Sequence, residues 1–582
     1  MISSALDQRN DWRAPCGRHV GDIPQRGRRY EVQGYRTVLE QKIRGMRLTL
    51  EEFANYAETF ALEHGEPGTL SYRHLQRLVS GRNAQGEPIR SVRASTARLL
   101  ERIFGTPIDE LLSQPAEREE EPPDERKLSE TAPAVRQTVQ LQPSGAVQVA
   151  SGHGRSQLTA SFAWLDERAG WSRETSRKQV TSKVASLDPG ELLDRYARRS
   201  RIPRSEIAAA LQDYYGATTA DYGVYTARFE DHQLTTSIVT RREWLNLACA
   251  LTPERDRLSL VNADEAESNP ADLRHAVDRL AETVALNVRL TNQPLYRLLS
   301  VDIGSDGIAG TVTRVPFAEY ALTMDLLEGE LVDALADRRS IQPGELPLRD
   351  LYLPDLRSVL DVSGRLCAGG VPALCAIARP AELYRGGRDY ALLIQERSSE
   401  VVNAARRLAV IPKGFHQPLT DARADARIGA TLLRKMEDEL FGRREVGTAT
   451  ADQRIAAPLH PSRLSEPMKW LCAEPGRMRT ECTGFGLNLV SGNYEFTCLT
   501  VIEDEEFWDR YGGQVEANWE ASGLRLYSSR DADLISELIS EETWTNEGLF
   551  ALLQGVRRLA ELDGYRVEVP AVETSASRHD LS

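Results

Sequence analysis

The sequence predicts a multidomain chain with an all-α head, a helical and α+β middle, and an α/β sandwich in its C-terminal part. Three observations lead there. A chain of 582 residues is long enough for three or four separate cores. The apolar pattern changes along it, from 3.6-residue stripes in 35–113 and 161–215 to mixed strand and helix patterns beyond 216. Between the two helical regions lies AEREEEPPDERK (Ala116–Lys127), a charged, Pro-interrupted run that reads as a linker.

Composition narrows the function classes. Hydrophobic residues make up 41% and charged residues 27%, the usage of an ordinary globular protein. No apolar run approaches the roughly 20 residues a membrane helix needs. The first residues, MISSALDQRNDWRAPCG, lack the apolar core of a signal peptide. The seven cysteines (16, 249, 367, 375, 472, 482 and 498) are scattered and form no C-x-x-C. They fit a reducing cytoplasm better than a disulfide framework or a zinc ribbon. The few histidines are unclustered, which argues against a His-based metal site. Net charge is −14, but it is unevenly spread: residues 1–113 carry 17 Lys and Arg against 14 Asp and Glu, and the remainder 55 against 72. A mildly basic head on an acidic body suits a DNA-binding domain joined to a sensor or an enzyme.

Residues 1–34, rich in Arg, Gly and Pro, read as a disordered leader. Residues 35–113 read as a compact helical domain. Its first helix is Tyr35–Met46. Its second begins at a Thr49/Glu52 capping box and carries the stripe Phe53, Tyr56, Ala57, Phe60. Ser71 caps a third, short helix from Tyr72 to Val79 that buries Leu75, Leu78 and Val79 and ends at Gly81. Ser95–Phe104 and Pro107–Leu112 complete the set.

The stretch LTLEEFA … LSYRHLQRLVSG, closed by RLLERIFGTPIDELL, resembles the lambda-repressor-like (XRE) helix-turn-helix family over about 75 residues. The resemblance implies binding to double-stranded DNA. The residue chemistry agrees independently. Tyr72, Arg73, Gln76 and Arg77 would present major-groove donors, with Ser71 at the helix N-terminus and Arg82 and Asn83 suited to the phosphate backbone. The competing explanation is a polar face on a protein-binding helical domain.

Residues 114–160 are expected to be a flexible linker, in which 138–149 could form a small hairpin. Residues 161–215 are helical, with helices Glu191–Arg199 and Ser205–Tyr215, the latter capped by Ser205. Arg198, Arg199, Arg201 and Arg204 cluster between them. They suggest either a second helix-turn-helix or, more commonly, a helical hairpin with a solvated basic edge. Residues 216–389 form an α+β middle region, with a helix after Asn269-Pro270, a strand Gly307–Phe317, a helix Tyr320–Ala336 and a Pro-broken transition over Leu346–Val359. No catalytic motif appears there.

Residues 390–570 carry the sharpest pattern. Ala391–Ile394 and Leu408–Ile411 read as strands, followed by a Pro-Lys-Gly-Phe loop. Ile428, Leu432, Leu433, Met436 and Leu440 form one helical stripe. Phe485–Val490 and Tyr494–Ile502 form a hairpin across Ser491-Gly492-Asn493, and a helix starting at about Trp544 runs to about Leu562. The tail from Ala571 reads as frayed.

This strand–loop–helix order, with RKMEDE at 434–439, resembles the Nudix hydrolase family, whose helix reads Arg-Glu-apolar-any-Glu-Glu. Arg434 matches the Arg, Met436 the apolar position, and Asp438 and Glu439 the two acids. The family's first helical Glu falls on Lys435, its upstream Glu on Ala426 with Asp425 beside it, and Gly414 lies several residues too far upstream. The resemblance implies a fold that binds nucleoside diphosphate derivatives, and Mg²⁺-dependent hydrolysis if the box is intact.

Mg²⁺ favours several hard oxygen ligands, and an ammonium at 435 would pair with Glu439 instead. Asp438 and Glu439 are thus the candidate metal ligands and, in an active enzyme, the catalytic acids; Glu437, Glu396 or Glu495 could substitute as ligands. No cofactor is required on this reading, and Mg²⁺ is possible. Arg397, Gly414, His416 and Arg434 are the expected contacts for a nucleotide-like ligand. The same six residues also fit an ordinary solvated helix face with internal ion pairs.

The expectation is a cytoplasmic, homodimeric, DNA-binding transcription regulator whose Nudix-like body senses a nucleotide or phosphorylated metabolite. The alternatives are a Mg²⁺-dependent Nudix-type hydrolase and a protein-interaction scaffold.

Overall fold

The computed structural model describes residues 37–45, 94–104, 106–113 and single helical positions 53, 57, 60, 75, 78 and 79 of the head. Beyond the head it describes 152–216, 219–229, 232–262, 273–286, 293–381, 387–397, 406–419, 421–441, 464–512, 515, 521–569 and 571–576. The chain divides into two compact units, 1–142 and 143–582.

The first unit is helical wherever it is described. Helices Val38–Gly45, Ala94–Phe104 and Ile108–Leu111 share a core with Phe53, Ala57, Leu75, Leu78 and Val79. Leu75, Leu78 and Val79 are helical and buried, as their spacing predicts. Phe53 stacks on Phe104 at 5.2 Å. The first and last described stretches are tied together, since Val38 N–H donates to Ser113 O at 2.9 Å, and Thr37 Oγ1 donates to Val79 O at 3.0 Å. The expected leader 1–34, the Thr49 capping box, the DNA-reading positions Ser71, Tyr72, Arg73, Gln76, Arg77, Arg82 and Asn83, and the 138–149 hairpin lie outside the described residues.

The second unit begins with four helices, Gly152–Arg168, Thr175–Val184, Pro189–Arg199 and Arg204–Tyr215. The first starts inside the stretch expected to be linker. Ser205 does not cap the fourth, which starts one residue earlier after extended Pro203. A distant acid takes that role: the Glu542 carboxylate accepts from Ser205 N at 3.0 Å. The arginine cluster is not a free basic edge either. Arg199 bonds Asp333 at 2.5 Å, and Arg204, 1% exposed, bonds Thr235 O and Glu542; only Arg198 and Arg201 face solvent.

Fourteen strands are described: β1 Gly223–Phe229, β2 His232–Thr240, β3 Cys249–Ala250, β4 Asp256–Leu260, β5 Leu295–Gly304, β6 Gly307–Val315, β7 Gly369–Arg379, β8 Asp389–Arg397, β9 Leu408–Val410, β10 Lys413–Phe415, β11 Met478–Asn488, β12 Tyr494–Ile502, β13 Ala521–Ser528 and β14 Val572–Ser575. Eleven of them make one mixed sheet in the order β13-β8-β7-β12-β11-β2-β1-β14, with β9 on β8, β10 on β7 and β3 on β11. β7 and β12 are parallel, and the other pairs in this sheet are antiparallel. β4, β6 and β5 form a small second sheet.

The large sheet is continuous across 389/390, where the sequence suggested a division between an α+β middle and a C-terminal domain. β1 and β2 come from one side of that point, and β8, β11, β12 and β13 from the other. The 571–582 tail likewise starts as an edge strand, because β1 offers an open backbone edge that Val572–Ser575 fills.

Helices cover both faces. Alternation along β7 turns Leu374 and Ala376 toward helix Asn546–Leu562 and Cys375 and Ile377 toward helix Ile428–Leu440. Helix 546–562 buries Leu549, Phe550, Leu553 and Val556 on the first face; Met436 and Leu440 pack on the second. The β11–β12 turn is held from the middle region. Gly492 sits there at φ +75°, where an added Cβ would strike Met324 at 2.7 Å. Fully buried Arg349 donates to Leu489 O at 2.6 Å and Val490 O at 2.7 Å, and Arg365 to Gly492 O at 2.6 Å. No helix among the described residues is long and apolar enough to cross a membrane.

Candidate functional site

The acidic helix runs over Ile428–Leu440, the bounds its apolar stripe predicts. Arg427 enters it in extended conformation, and its first turn is satisfied from outside: Gly429 N donates to Asp256 Oδ2 of β4 at 2.8 Å. A side chain at 429 would meet Leu251 O at 3.0 Å, so the small sheet and this helix approach closely.

The helix is not a solvated acidic face. Arg434, Lys435, Met436, Glu437, Asp438 and Glu439 are all buried, none more than 6% exposed. Each charge that enters such a site needs a partner to offset desolvation, and protein groups supply them. Glu437 accepts from Ser465 N at 2.6 Å and Ser465 Oγ at 2.7 Å, fixing the residue that caps helix Glu466–Ala473. Glu439 Oε2 accepts from Lys413 N at 2.8 Å. Its other oxygen lies 3.7 Å from Lys435 Nζ, the i,i+4 pair expected from the sequence. Arg434 donates to Gln417 O at 2.8 Å and lies 4.0 Å from Asp425, so it fastens the 416–427 loop to the helix.

Gly414 is part of the same arrangement. An added Cβ there would lie 2.1 Å from Lys435 Cε, so the lysine stem runs across the bare backbone of β10. His416 is fully buried and engaged at both ring nitrogens, Nδ1 with Tyr494 Oη at 2.8 Å and Nε2 with Ala426 O at 2.9 Å. A carbonyl only accepts, so Nε2 carries the proton and Nδ1 accepts from the tyrosine. Burial pushes the His416 pKa down to about 3. Thus Arg434, Gly414, His416 and Glu439 are brought together around the loop and helix. Arg397 stands apart at the end of β8, opposite Ala521 of β13, and its side chain makes no ion pair among the described residues.

His416 gives a pH prediction. Its folded-state pKa lies below the ordinary 6.5, so its contribution to stability is present above pH 6.5 and is lost as pH falls toward 3. At pH 4 the loss is about 3 kcal/mol. Urea titrations between pH 7 and pH 4 should show it, and His416→Gln should flatten that part of the profile. An unchanged slope would mean that His416 titrates normally.

A Mg²⁺ site at Asp438 and Glu439 does not fit this arrangement. One Glu439 oxygen is taken by a backbone amide, and the other faces an ammonium that would repel the metal. Among the described residues, no group of three or more His, Cys, Asp or Glu side chains is arranged to hold a metal ion.

Sequence reasoning missed a second polar group on the opposite face of the sheet. Lys413 Nζ bonds Glu547 Oε1 at 2.6 Å, at the start of helix 546–562. Asn488 Nδ2 donates to Glu547 Oε2 at 3.3 Å. Glu495 of β12 is 4% exposed and adjoins them. These residues are far apart in the chain and form no spaced motif, so the only prior signal was an acid, Glu495, inside an apolar strand. In sequence comparisons no protein-family model matches the chain, and no curated protein matches it.

Proposed function

We propose that the protein is a DNA-binding transcription regulator with an XRE-like head and a Nudix-like body that binds a nucleotide or phosphorylated metabolite without hydrolysing it. One observation carries the non-catalytic part. Glu439, the second acid of the box, accepts from the backbone of Lys413 and faces Lys435, and Glu437, a possible substitute ligand, is held by Ser465. A sheet covered by helices on both faces, one of them the acidic helix, is consistent with the Nudix-like reading.

For the head, the support is a compact helical unit in which Leu75, Leu78 and Val79 point into the core. That burial leaves Tyr72, Arg73, Gln76 and Arg77 as the polar remainder of the same short sequence. On this reading the active form is a homodimer that matches a palindromic operator.

Two measurements test the proposal. Fluorescence anisotropy with duplex DNA should show salt-dependent binding by the full chain. Arg73→Ala should weaken specific binding by about 1–3 kcal/mol and relax base preference at one position. Equal affinity and preference in the variant would remove Arg73 from the reading face. Calorimetry with a nucleotide panel, with and without Mg²⁺, should give heats of binding and no product. Mg²⁺-dependent product release abolished by Glu439→Gln would replace the sensor with a hydrolase.

A further inference from the structure

The polar group at the start of helix 546–562 has more acid than its own cations neutralise. Glu495 of β12 and Glu547 of helix 546–562 share the Asn488 side chain there, and the charge of Glu547 reaches Glu328 of helix Leu326–Ala336. Two cations accompany them, Lys413 of β10 and Arg407 just before β9. Lys413 is committed to Glu547, and Arg407 donates to Ile202 O at 2.5 Å. Glu547 is therefore satisfied. Burial pushes its pKa up, but the Lys413 ammonium and the hydrogen bonds around it outweigh that and hold it below the usual carboxylate value.

Glu495 is satisfied on one side only, by the Asn488 side chain. It is 4% exposed, and its Oε2 has no hydrogen-bond partner among the described residues. Gly370 on the neighbouring strand lets that oxygen lie against the backbone, since an added Cβ there would be 2.8 Å from it. A buried carboxylate oxygen without a donor is costly, and such atoms are rare in folded proteins. Burial first, and then the Glu547 charge, push the Glu495 pKa up to about 8. Burial and the charges of Glu547 and Asp325 likewise raise Glu328.

The Lys413 and Glu547 side chains keep 15% and 13% exposure. Aromatic rings stand beside them. Phe415, two residues after Lys413, packs on Tyr320 at 5.2 Å and Phe317 at 5.9 Å, and Tyr320 feels the charges of Glu328 and Glu495.

We propose that this cluster is a binding site for a small organic cation, an ammonium or guanidinium group that donates to Glu495 beside the Lys413–Glu547 pair. The carboxylates are not gathered around one point as a metal ion requires. A cation with several N–H donors matches a buried carboxylate oxygen that lacks one. The excess of carboxylates disfavours a phosphate here. The site lies on the other face of the sheet from the acidic helix, to which the Lys413 backbone ties it, and it does not depend on the head binding DNA or on the body binding a nucleotide.

Binding has a proton balance. The incoming cation supplies the missing charge, so Glu495 ionises and releases one proton to solvent while the ligand keeps its own. The groups that act on Glu495 are Glu547, Lys413 and Asn488, with Tyr320 beside it; Glu328 and Arg407 act on each other and Glu547 on Glu328. Below pH 8, affinity should therefore rise as pH rises, by up to about tenfold per unit.

The test is isothermal calorimetry of the full chain with agmatine, which carries an ammonium at one end and a guanidinium at the other. It is run at pH 6, 7 and 8, and at pH 7 in two buffers of different ionisation enthalpy, with inorganic phosphate as the contrasting probe. Agmatine should bind with net proton release and phosphate should not compete. Glu495→Gln should weaken binding at least tenfold and abolish the proton release. Glu328→Gln should weaken binding and keep the release, which preserves the test if the Glu495 variant does not fold. Absence of agmatine binding at any of these pH values, or binding unchanged in both variants, would overturn the proposal.

Discussion

Lys435→Glu should be among the most damaging single changes in the body, lowering stability by about 3–5 kcal/mol. In a unit of this size that corresponds to a Tm fall of roughly 3–5 °C. The reason is local. Lys435 Nζ lies 3.7 Å from Glu439 where both side chains are almost fully buried. The substitution removes the only charge of opposite sign that this pair provides and sets a carboxylate in its place, with Asp438 and Glu439 on the next turn. Like charges in a desolvated site cannot all ionise, and the folded state must take up a proton or open.

Millimolar Mg²⁺ should recover part of the loss, because three carboxylates on one helix now offer the hard oxygens that the native arrangement lacks. Thermal melts of the variant with and without Mg²⁺ check this. A Tm equal to the parent would mean that Lys435 does not neutralise Glu439. Product release from nucleoside diphosphate derivatives by the Mg²⁺-loaded variant would show that the rest of the pocket keeps a substrate geometry.

Arg349→Ala should cost a similar amount, about 3–5 kcal/mol. The guanidinium is fully buried and donates to Leu489 O, Val490 O and Leu327 O while accompanied by the Tyr215 hydroxyl at 3.0 Å. Its loss leaves those carbonyls buried without donors and opens a cavity beneath the β11–β12 turn. Arg349→Lys should recover little, since a single ammonium cannot reach the carbonyls held by both Nη1 and Nη2 of the guanidinium. Chemical denaturation of the two variants decides it. A midpoint shift below about 1 kcal/mol in the alanine variant would mean that water replaces the guanidinium.

Much of the local structure could be read from the chain. The stripe Ile428, Leu432, Met436, Leu440 carries a strong helical period, and it gave the helix bounds that the structure has. β12 was legible for a similar reason, since Tyr494–Ile502 is an unbroken β-rich run between turn residues. The third-helix apolar positions of the head, Leu75, Leu78 and Val79, were legible too.

What the sequence hid was set by partners distant in the chain. RKMEDE looks solvated because nothing local announces that Ser465, Lys413 and Gln417 will satisfy its charges. Ser205 looks like a cap because the Glu542 carboxylate that takes its place is hundreds of residues away. The Thr-rich β1–β2 hairpin has a weak alternation, and without it the sheet seemed to begin at 390. Glu495 was visible only as one more acid near a metal box, because its neighbours Glu328, Lys413 and Glu547 come from three other stretches.

The sheet's continuity has a consequence for how this body is made. β14 pairs with β1, and β11 with β2, so both joins connect strands from opposite ends of the second unit. Contacts of such wide separation form late, after most loop-closure entropy has been spent. During vectorial synthesis residues 223–240 emerge from the ribosome long before either partner, and they must wait with their backbone edges unpaired. The sheet therefore cannot close until residues 478–488 and 572–575 have been made, and the waiting strands are exposed to aggregation in the interval. Two fragments cut between 389 and 390 should each be insoluble alone and should recover the sheet only when produced together.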